Sequence, residues 1–338
     1  MDAAAREDFR VLIEDISKGQ ENVKIPLVIG LRLVSPELPK FTYMKNNMVY
    51  QAAHVDFSLA RISVCCRKCR PDCLSVDIPC SCAAETRGVF AYTTKGLLKE
   101  SFLNDYLQNP ERQHMYYCET CPLRRNAQDD GCNVKPCEGH PSRKFIKECW
   151  YRCGCNKKKC GNRVVQRGIQ ANLQVFLTPD GKGWGVRTLD ALKRGTFVCE
   201  YIGEIVTNDE LYDRNKERAA KNERHTYPVL LEADWASERI LTDKEALCLD
   251  ATEFGNVGRF INHRCSDANL IEIPVEIETP DHHYYHVAFF TVRDVKPWEE
   301  LTWDYNIFFD DVYHPIKAFT CVCGSLFCRQ PLSNARRK

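Results

Sequence analysis

The chain has 338 residues, of which 44% are hydrophobic and 28% are charged, an ordinary balance for a globular protein of one to three domains. It contains no run of 18 apolar residues, and its charged start, MDAAAREDFRVLIEDIS, lacks the apolar centre of a secretory signal. No membrane-spanning helix is therefore predicted. We expect a reducing, intracellular compartment, where clustered cysteines bind metal more often than they form disulfides.

The net charge of +1 hides two oppositely charged parts. Residues 200–311 hold 25 Asp and Glu against 11 Lys and Arg, a balance of −14, whereas the rest of the chain holds 21 acids and 36 bases. An acidic surface favours a basic partner, and a basic surface favours phosphate or another acidic partner. Charge alone leaves ordinary solvated surfaces as an equally good explanation.

In chain order, the first 60 residues carry a short helical pattern over 6–16 and then two strand-like pieces, VKIPLVIGL and KFTYM. Residues 65–160 have few long apolar runs, so their fold is expected to depend on metal. Short β-type runs follow from Asn172: LQVFLT, TFVCEYIGEIV, YPVLL, VAFFTV and LTWDYNIFF. One helix is predicted over about 209–223, with Asn208 as its N-cap. The sequence therefore predicts a mainly β protein.

Most of the 20 cysteines lie in three groups: CCRKCRPDCLSVDIPCSC at 65–82, CWYRCGCNKKKC at 149–160 and CVCGSLFC at 321–328. Cysteines one residue apart give poor disulfide geometry, whereas closely spaced thiolates suit tetrahedral zinc. The first two groups supply nine ligands, which can hold three zinc ions if three sulfurs bridge. These nine are Cys66 (or its neighbour Cys65), Cys69, Cys73, Cys80, Cys82, Cys149, Cys153, Cys155 and Cys160.

Four further motifs follow in order: GKGWGVR at 181–187, GRFINHRC at 258–265, EELTWDY at 299–305 and C-x-C-x4-C at 321–328. A single G-x-G would more often be a hairpin turn, but the four in register with the nine-cysteine module carry more weight. Together they resemble the suppressor-of-variegation type of SET-domain histone lysine methyltransferases, and in particular the plant suppressor-of-variegation-related class. The resemblance implies a β-rich SET domain between a pre-SET zinc cluster and a post-SET zinc motif. It favours Cys66 over Cys65 as the first ligand.

The implied domain order is an N-terminal wrapping segment at 1–60, a pre-SET zinc cluster at 61–165 with an insertion at 83–148, a SET catalytic domain at 166–306 and a post-SET segment at 307–338. The implied activity is transfer of methyl from S-adenosylmethionine to lysine 9 of histone H3, on chromatin in the nucleus. The acidic balance of residues 200–311 supports a basic histone tail as partner. The nucleosome is a further expected partner, with residues 143–167 as a possible contact to its DNA phosphates.

By resemblance, the cofactor-binding residues are Lys182, Gly183, Trp184, Tyr227, Arg259, Asn262, His263 and Phe319. Glycine at this place permits close approach of backbone to a ligand. The residues expected in catalysis are Tyr305, Tyr227 and Trp303. Tryptophan stands where the family has Phe or Tyr, a position that influences how many methyl groups are added, so the degree of methylation stays open.

The chemistry requires a neutral lysine amine, although free lysine has a pKa of about 10.4. Near pH 7.4 about one lysine in a thousand is neutral, so supplying that form costs about 4 kcal/mol. An aromatic channel that desolvates the ammonium lowers this cost, as does the positive charge of the nearby sulfonium. Tyr305 is expected to orient the lone pair of the amine, and Tyr227 to line the channel or the cofactor side.

The resemblance also implies that Cys265 completes a zinc site with Cys321, Cys323 and Cys328, which would fold the tail over the lysine channel. The insertion adds Cys118, Cys121, Cys132 and Cys137, with His140 as a possible replacement ligand. Their spacing predicts another zinc site, and unused thiols are the alternative.

Residues 143–167 hold nine Lys and Arg and one acid, a cluster that suits DNA phosphates as well as it suits a solvated surface. Two other functions therefore stay open at this stage. One is a catalytically silent chromatin-binding scaffold with a SET fold, and the other is a zinc-dependent DNA-binding protein. The sequence does not indicate the oligomeric state.

Overall fold

The structure is a computed structural model that describes residues 9–34, 37–50, 65–67, 69, 71–75, 80–83, 86, 89–108, 114–116, 140–142, 144–223, 226–231, 242, 244–278, 284–311 and 313–330. Within these residues, short strands far outnumber helices. The prediction of a mainly β protein is therefore confirmed.

The strands come in quick succession, and only two α-helices interrupt them in the described residues. The helices are α1 (Glu100–Gln108) and α2 (Asn208–Ala220). The strands are β1 (Phe9–Ile13), β2 (Leu27–Gly30), β3 (Thr42–Tyr43), β4 (Met48–Val49), β5 (His114–Tyr116), β6 (His140–Ser142), β7 (Ile146–Lys147), β8 (Leu173–Leu177), β9 (Trp184–Thr188), β10 (Phe197–Tyr201), β11 (Glu204–Thr207), β12 (Pro228–Leu230), β13 (Leu247–Asp250), β14 (Phe254–Gly255), β15 (Asn262–His263), β16 (Leu270–Glu276), β17 (His286–Thr291) and β18 (Glu300–Trp303).

Three sheets carry most of the architecture. The first has the order β1-β2-β8-β9-β18-β15, the second has the order β10-β17-β16-β7, and the third has the order β12-β13-β11-β4. Two further pairs, β14 with β3 and β5 with β6, stand apart from them. The first sheet is the one that matters for function, because it aligns the three segments that carry the glycine, NH–C and EELTWDY motifs.

The N-terminal part of the chain is built into these sheets. The expected helix over 6–16 is wrong for the described residues: β1 pairs antiparallel with β2, in a register that places Phe9 opposite Gly30. The β-branched Val11 and Ile13 suit a strand, and pairing with a neighbour overrides the weak local helical pattern. Strands β2, β3 and β4 each pair with a strand that lies beyond residue 170.

The cysteine-rich region shares one hydrophobic core with the second sheet. Phe102 and Leu103 of α1, a helix that the sequence analysis did not predict, are buried against the same cluster as Ile273 of β16 and Phe290 of β17. The hydroxyl of Tyr106 also donates to the main-chain oxygen of Glu272 (3.1 Å). The cysteine module therefore packs onto the β domain through α1.

Helix α2 lies close to its predicted place, with two corrections. Its N-cap is Thr207, whose hydroxyl accepts a hydrogen bond from the Glu210 amide (3.2 Å), and Asn208 is the first helical residue. The helix ends at Ala220, before Asn222 adopts a left-handed backbone (φ 60°). Neither helix among the described residues has the length and apolar character needed to cross a membrane.

Candidate active site and metal centres

The candidate active site lies where β18 and β15 run side by side. These strands pair in parallel, with His263 opposite Trp303, so that the residues just beyond them meet. The main-chain amide of Tyr305 donates to Nδ1 of His263 (3.1 Å), and the Tyr305 hydroxyl donates to the main-chain oxygen of Ile261 (2.6 Å). The NH–C and EELTWDY motifs therefore form one hydrogen-bonded unit.

His263 is a structural part of this unit. Burial lowers the pKa of His263 to about 4, even though the carboxylate of Asp304 acts in the opposite direction. The ring is therefore neutral at pH 7. Because Nδ1 accepts from Tyr305, Nε2 carries the proton, and it lies 3.0 Å from the sulfur of Cys265. The imidazole thus links Tyr305 to the terminal cysteine cluster.

Aromatic rings surround Tyr305. The ring of Trp303 lies 4.9 Å from it between centroids, and that of Phe319 lies 6.2 Å away. Trp303 also packs against Phe289 (5.1 Å), so its indole is held in the wall of the site. Phe319, from the tail, reaches the same cluster as the two predicted catalytic residues. The expected aromatic surroundings of Tyr305 are thus brought together by residues from β17, β18 and the tail.

A second tyrosine, which the sequence analysis missed, lies beside Tyr227. The hydroxyl of Tyr201 at the end of β10 donates to the main-chain oxygen of Tyr227 (2.6 Å). Burial raises the pKa of both Tyr201 and Tyr305, so both are protonated at neutral pH. Tyr201 stands in an apolar strand run, TFVCEYIGEIV, which gave no reason to separate it from core tyrosines.

Arg259 is placed beside Tyr227. Its guanidinium lies 4.0 Å from the centre of the Tyr227 ring and 4.6 Å from that of Phe41. It donates to the main-chain oxygens of Ala251 (2.9 Å) and Thr252 (3.1 Å). These contacts give Arg259 a role in positioning Tyr227, while its predicted contact with the cofactor stays a prediction.

The glycine segment approaches Asn262 very closely. Gly183 has a left-handed backbone (φ 87°), and its oxygen accepts from the amide and the hydroxyl of Thr178, both at 2.8 Å. A Cβ on Gly185 would lie 2.8 Å from Cγ2 of Thr178 and 2.9 Å from Nδ2 of Asn262. Only glycine therefore allows β9 and Asn262 to come together here.

Glu300 anchors this segment, and the sequence analysis did not single it out. Its carboxylate accepts from Nζ of Lys182 (2.6 Å) and from Nδ2 of Asn262 (3.0 Å). The Asn262 amide also reaches the main-chain oxygen of Trp184 (3.3 Å). Glu300 thus joins Lys182 to Asn262, and Asn262 in turn reaches Trp184, so that three predicted cofactor residues are linked. Glu300 is the second acidic residue of the motif EELTWDY, but the motif alone does not indicate that its side chain contacts Lys182 and Asn262.

The nine predicted ligands among the ten cysteines of the first two groups form a single cluster of sulfurs. Three sets of four have all their sulfurs within 4.8 Å of one another: Cys66, Cys73, Cys149 and Cys155; Cys66, Cys82, Cys149 and Cys153; and Cys66, Cys69, Cys73 and Cys80. The sulfur of Cys160 lies 4.0 Å from that of Cys149. Zinc–sulfur bonds of about 2.3 Å in a tetrahedron put sulfurs about 3.8 Å apart, so this cluster fits zinc.

The overlap of the sets identifies the bridging sulfurs. Cys66 belongs to all three sets, and Cys73 and Cys149 each belong to two. The sulfur of Cys73 lies 3.5 Å from those of both Cys66 and Cys149. A bridging thiolate joins two zinc ions, so Cys160, whose sulfur lies 4.0 Å from that of Cys149, would take the place of Cys66 in the first set. Three bridging and six terminal thiolates then supply the twelve bonds of three zinc ions. The geometry therefore agrees with the predicted three-zinc arrangement.

Cys65 stands outside these sets. Its sulfur lies 2.6 Å from Nε1 of Trp150, and burial raises the pKa of its thiol. A protonated thiol paired with an indole is unlike a metal-bound thiolate. This placement agrees with the choice of Cys66 over Cys65.

The terminal cysteines form a separate set with Cys265. The four sulfurs of Cys265, Cys321, Cys323 and Cys328 lie within 4.8 Å of one another, which again fits tetrahedral zinc. Arg264 donates to the main-chain oxygen of Cys323 (2.7 Å) and so adds a second link from the NH–C motif to the tail. The insertion cysteines Cys118, Cys121, Cys132 and Cys137 lie outside the described residues.

The basic cluster divides into two kinds of residue. Arg163 is buried and donates to the sulfur of Cys155 (3.3 Å), where it offsets the negative charge of the thiolates. Lys157, Lys158 and Lys159 are exposed on the loop between Cys155 and Cys160, and Arg152 and Arg167 are exposed as well. These exposed members of the cluster can therefore meet a phosphate.

Comparison with known proteins agrees with this arrangement. The Pre-SET motif family matches residues 17–163, and the SET domain family matches residues 183–306. Over 96% of its length, the chain is 60% identical to the histone-lysine N-methyltransferase SUVR4 of Arabidopsis thaliana, of which it spans 65%. Over 94% of its length, it is 50% identical to SUVR1 of the same species, named a probable inactive histone-lysine N-methyltransferase, of which it spans 43%.

A solved structure shows a similar fold. The crystal structure of KRYPTONITE in complex with mCHH DNA, H3(1–15) peptide and SAH aligns with a TM-score of 0.65 and 27% sequence identity. The alignment covers 98% of this chain and 54% of the other. The chain thus spans less than two thirds of the length of each of these three proteins.

Proposed function

Because the chain belongs to the SET-domain proteins that carry a Pre-SET motif, we propose that it is a histone-lysine N-methyltransferase that acts on lysine 9 of histone H3. Its relative SUVR4 is named a histone-lysine N-methyltransferase, and KRYPTONITE was crystallised with an H3(1–15) peptide and SAH. The observation that carries the proposal is the hydrogen-bonded unit of Tyr305, Ile261 and His263 in its aromatic surroundings.

The proposed domains are those of the sequence analysis: the N-terminal wrapping segment, the pre-SET cluster with its insertion, the catalytic SET domain at 166–306 and the post-SET segment at 307–338. Pairing of β2, β3 and β4 with strands of the SET domain supports the wrapping role of the first segment. The terminal cysteine set supports the post-SET assignment.

The segment around Gly183 fits the proposed methyl donor. S-adenosylmethionine, when bound, supplies a methyl group on a positively charged sulfur. Main-chain oxygens such as that of Trp184, together with the amide of Asn262, are polar groups suited to hold such a ligand. Gly183 leaves open space where a Cβ would stand, which permits close approach of a ligand.

The tyrosines would position the amine rather than deprotonate it. Tyr305 and Tyr201 each donate their proton to a main-chain oxygen, so the remaining lone pairs of their hydroxyls can accept from a lysine amine. The rings of Trp303 and Phe319 exclude water from the same place. Exclusion of water disfavours the ammonium form and so raises the fraction of reactive, neutral amine.

The charge distribution supports the proposed partners. The excess of acids in residues 200–311 suits a basic histone tail, and the exposed Lys157–Lys159 loop suits DNA phosphates of a nucleosome. KRYPTONITE was crystallised with both kinds of partner. We place the protein on chromatin in the nucleus on the same grounds.

A catalytically silent scaffold is the second candidate function. It is favoured by one observation, that SUVR1 shares 50% identity with this chain and is named probably inactive. The two candidates differ in what they do with the methyl donor and the peptide together. A silent scaffold predicts a SET fold that binds chromatin without transferring methyl groups.

The test is methyl transfer by the full chain. The purified protein is incubated with S-adenosylmethionine and H3(1–15) peptide, and mass spectrometry follows the addition of methyl groups. We expect them on lysine 9, and a peptide with arginine at that position is the control. Calorimetric titration with S-adenosylmethionine accompanies the assay. Absence of transfer to the peptide and to nucleosomes would reject the enzyme, and absence of cofactor binding as well would favour the scaffold.

A further inference from the structure

An exposed tyrosine lies on the outer surface of the nine-cysteine cluster. The side chain of Tyr151 is 59% exposed, although the buried Cys149 precedes it by only two residues. The ring of Tyr151 meets that of Trp150 edge to face, with 5.0 Å between centroids, and its hydroxyl accepts from Nε of Arg152 (2.9 Å). Because Trp150 is itself buried, the ring of Tyr151 is held in place while most of its surface stays open to solvent.

Basic side chains accompany this tyrosine. Nζ of Lys157 lies 6.0 Å from the centre of the Tyr151 ring, and it is the first of three exposed lysines, Lys157–Lys159. Residues 143–167 contain one acid, Glu148, which is fully buried and accepts from main-chain amides. The exposed charge of this segment is therefore positive throughout. We call Tyr151, Arg152 and Lys157–Lys159 the basic platform.

Hydrogen bonds to the first cysteine group hold the basic platform in one shape. The main-chain amide of Gly154 donates to the oxygen of Cys66 (2.6 Å), and that of Asn156 donates to the oxygen of Pro71 (2.9 Å). Within the lysine loop, Oδ1 of Asn156 accepts from the main-chain amides two and three residues further on (2.9 and 3.1 Å). A surface that is already ordered loses little conformational entropy when it binds a partner.

We propose that the basic platform binds single-stranded RNA, with an unpaired base stacked on Tyr151 and the neighbouring phosphates on Lys157–Lys159. An aromatic side chain beside positive charge suits a single strand, because every base has a face that can stack. A base inside a duplex is already stacked on its neighbours, so the tyrosine offers a duplex no advantage. Contact of the same lysines with DNA phosphates needs no aromatic ring. The RNA site is therefore a further function, and it does not depend on methyl transfer.

The hydroxyl of Tyr151 favours RNA over single-stranded DNA. It accepts a hydrogen bond from Arg152, so its own proton is left to be donated to a ligand. The ribose that carries a stacked base presents a 2′-hydroxyl, which can accept this proton, whereas deoxyribose has no such group. The phenol thus adds a contact that only RNA can make.

The test measures binding by fluorescence anisotropy at a fixed salt concentration. A labelled uridine oligonucleotide, the deoxyuridine strand of the same length and a DNA duplex are each titrated with the full chain. We expect Tyr151→Leu to weaken RNA binding about tenfold, as for the loss of one stacked base, and to leave duplex binding unchanged. Tyr151→Phe should keep the stacking but lose the preference for RNA over the deoxyuridine strand.

The matched control is Tyr212→Leu. Tyr212 is also exposed and also has a lysine near its ring, with Nζ of Lys216 5.5 Å from the ring centre, but it belongs to the acidic residues 200–311. This variant should bind RNA as the wild type does. Equal weakening by Tyr212→Leu and Tyr151→Leu would overturn the assignment of the site to the basic platform.

Replacing the three lysines by glutamine separates charge from stacking. The triple variant should weaken the binding of RNA and of duplex DNA alike. For RNA, the slope of log K against log salt should fall by about 2, since each lost phosphate contact removes about 0.7. Zinc content and Tm equal to those of the wild type should show that each variant is folded. If Tyr151→Leu fails this check, Tyr151→Phe, which keeps the ring, decides the outcome.

Three results would overturn the proposal. Equal loss of RNA and duplex binding in Tyr151→Leu would remove the stacking contact and leave duplex DNA as the occupant. Equal affinity of the wild type for the uridine and deoxyuridine strands would exclude RNA as the preferred ligand. RNA binding that neither variant of Tyr151 changes would place the site elsewhere. Methylation of the H3(1–15) peptide is measured separately and should be the same in all these variants, so failure of the RNA site is distinct from failure of the proposed function.

Discussion

At the scale of single residues, the hydroxyl groups of the buried Tyr201 and the partly buried Tyr305 determine what the site can do. Tyr305 and Tyr201 each donate to a main-chain oxygen over 2.6 Å, those of Ile261 and Tyr227. Because burial raises the pKa of both hydroxyls, neither is a base at neutral pH. The two hydroxyls are therefore suited to orient a neutral amine rather than to deprotonate an ammonium.

Replacing Tyr305 tests this role directly. In Tyr305→Phe the ring remains among Trp303 and Phe319, but the bond to Ile261 and the acceptor for the amine are lost. We expect transfer to H3(1–15) peptide to fall at least about a hundredfold, whereas stability falls by only about 1 kcal/mol, as for one hydrogen bond. Mass spectrometry of the peptide and thermal unfolding provide the two readouts. The exposed Tyr313→Phe is the control, and near-normal turnover by Tyr305→Phe would remove the hydroxyl from the mechanism.

A different single residue, His286 of β17, holds the second sheet together electrostatically. It lies 2.6 Å from the carboxylate of Glu200 on β10 and 3.1 Å from that of Glu278. Burial alone would lower the pKa of His286, but these carboxylates raise it well above its ordinary value. Burial raises the pKa of Glu278, but the hydrogen bond and positive charge of His286, together with Lys147, outweigh it, so that the pKa is lowered. The other titratable groups facing this network are Tyr284, Lys147 and Glu21.

The stability provided by His286 should depend on pH with a definite sign. A histidine whose pKa is raised by folding stabilises fully below its unfolded pKa of about 6.5, and this stabilisation is lost as the pH rises through the folded value. We expect His286→Gln to lower the free energy of unfolding by about 2 kcal/mol at pH 6, since it leaves two partly buried carboxylates without their cation. Urea denaturation at several pH values should show the difference from the wild type shrinking above about pH 6.5. A difference that grows with pH would contradict this assignment.

At the scale of elements, the tail after β18 is joined to the site by its cysteines and by Phe319. Cys265 and the three terminal cysteines form one set, and Arg264 adds a hydrogen bond to the oxygen of Cys323. By contrast, Leu326 and Phe327 between the last ligands are exposed. The tail therefore depends on its metal site rather than on a core of its own.

Removing one of the cysteines that bind zinc in the tail should release the tail from the active site. We expect Cys323→Ala to contain one zinc fewer than the wild type and to lose most of its methyl transfer, because Phe319 is no longer held against Tyr305. Elemental analysis and the peptide assay measure the two effects. Cys65→Ser is the matched control, a buried cysteine outside the metal sets, and should keep the full zinc content. Full activity in Cys323→Ala would contradict closure of the site by the tail.

Elements with a strong local pattern were predictable, and those that depend on distant partners were not. The predicted runs that became β8, β10, β17 and β18 are rich in β-branched or aromatic residues, and α2 has polar caps and acids in its first turn. The segment Phe9–Ile13 lies within the short helical pattern over 6–16, yet it becomes a strand because β2 lies beside it. Helix α1 was hidden inside a cysteine-rich stretch whose composition suggested no core.

At the scale of the whole molecule, the site residues in contiguous motifs could be predicted, whereas contacts between distant parts of the chain could not. Asn262, His263 and Tyr305 could be assigned because their motifs are contiguous and resemble those of a known family. The bond from Glu300 to Lys182 joins residues 118 positions apart, and the Tyr201–Tyr227 contact joins two strand ends. Neither follows from spacing, since each exists only after the strands have been ordered into sheets. The bridging roles of Cys66, Cys73 and Cys149 likewise needed three dimensions.

The zinc content is the property on which the whole molecule depends, and its loss should occur in two stages. The described residues provide four sites, three in the buried nine-cysteine cluster and one in the tail, so elemental analysis should find four zinc ions per chain, or five if the insertion cysteines bind one more.

Cys328 of the tail site is only half buried, whereas the cluster shares a core with α1 and the second sheet. A limiting amount of chelator should therefore remove the tail zinc first and abolish transfer while the circular dichroism spectrum stays unchanged. Excess chelator should then unfold the cysteine module, because its fold depends on the metal. Loss of all the zinc in one step, or a content of one zinc or fewer, would contradict this order and the cluster itself.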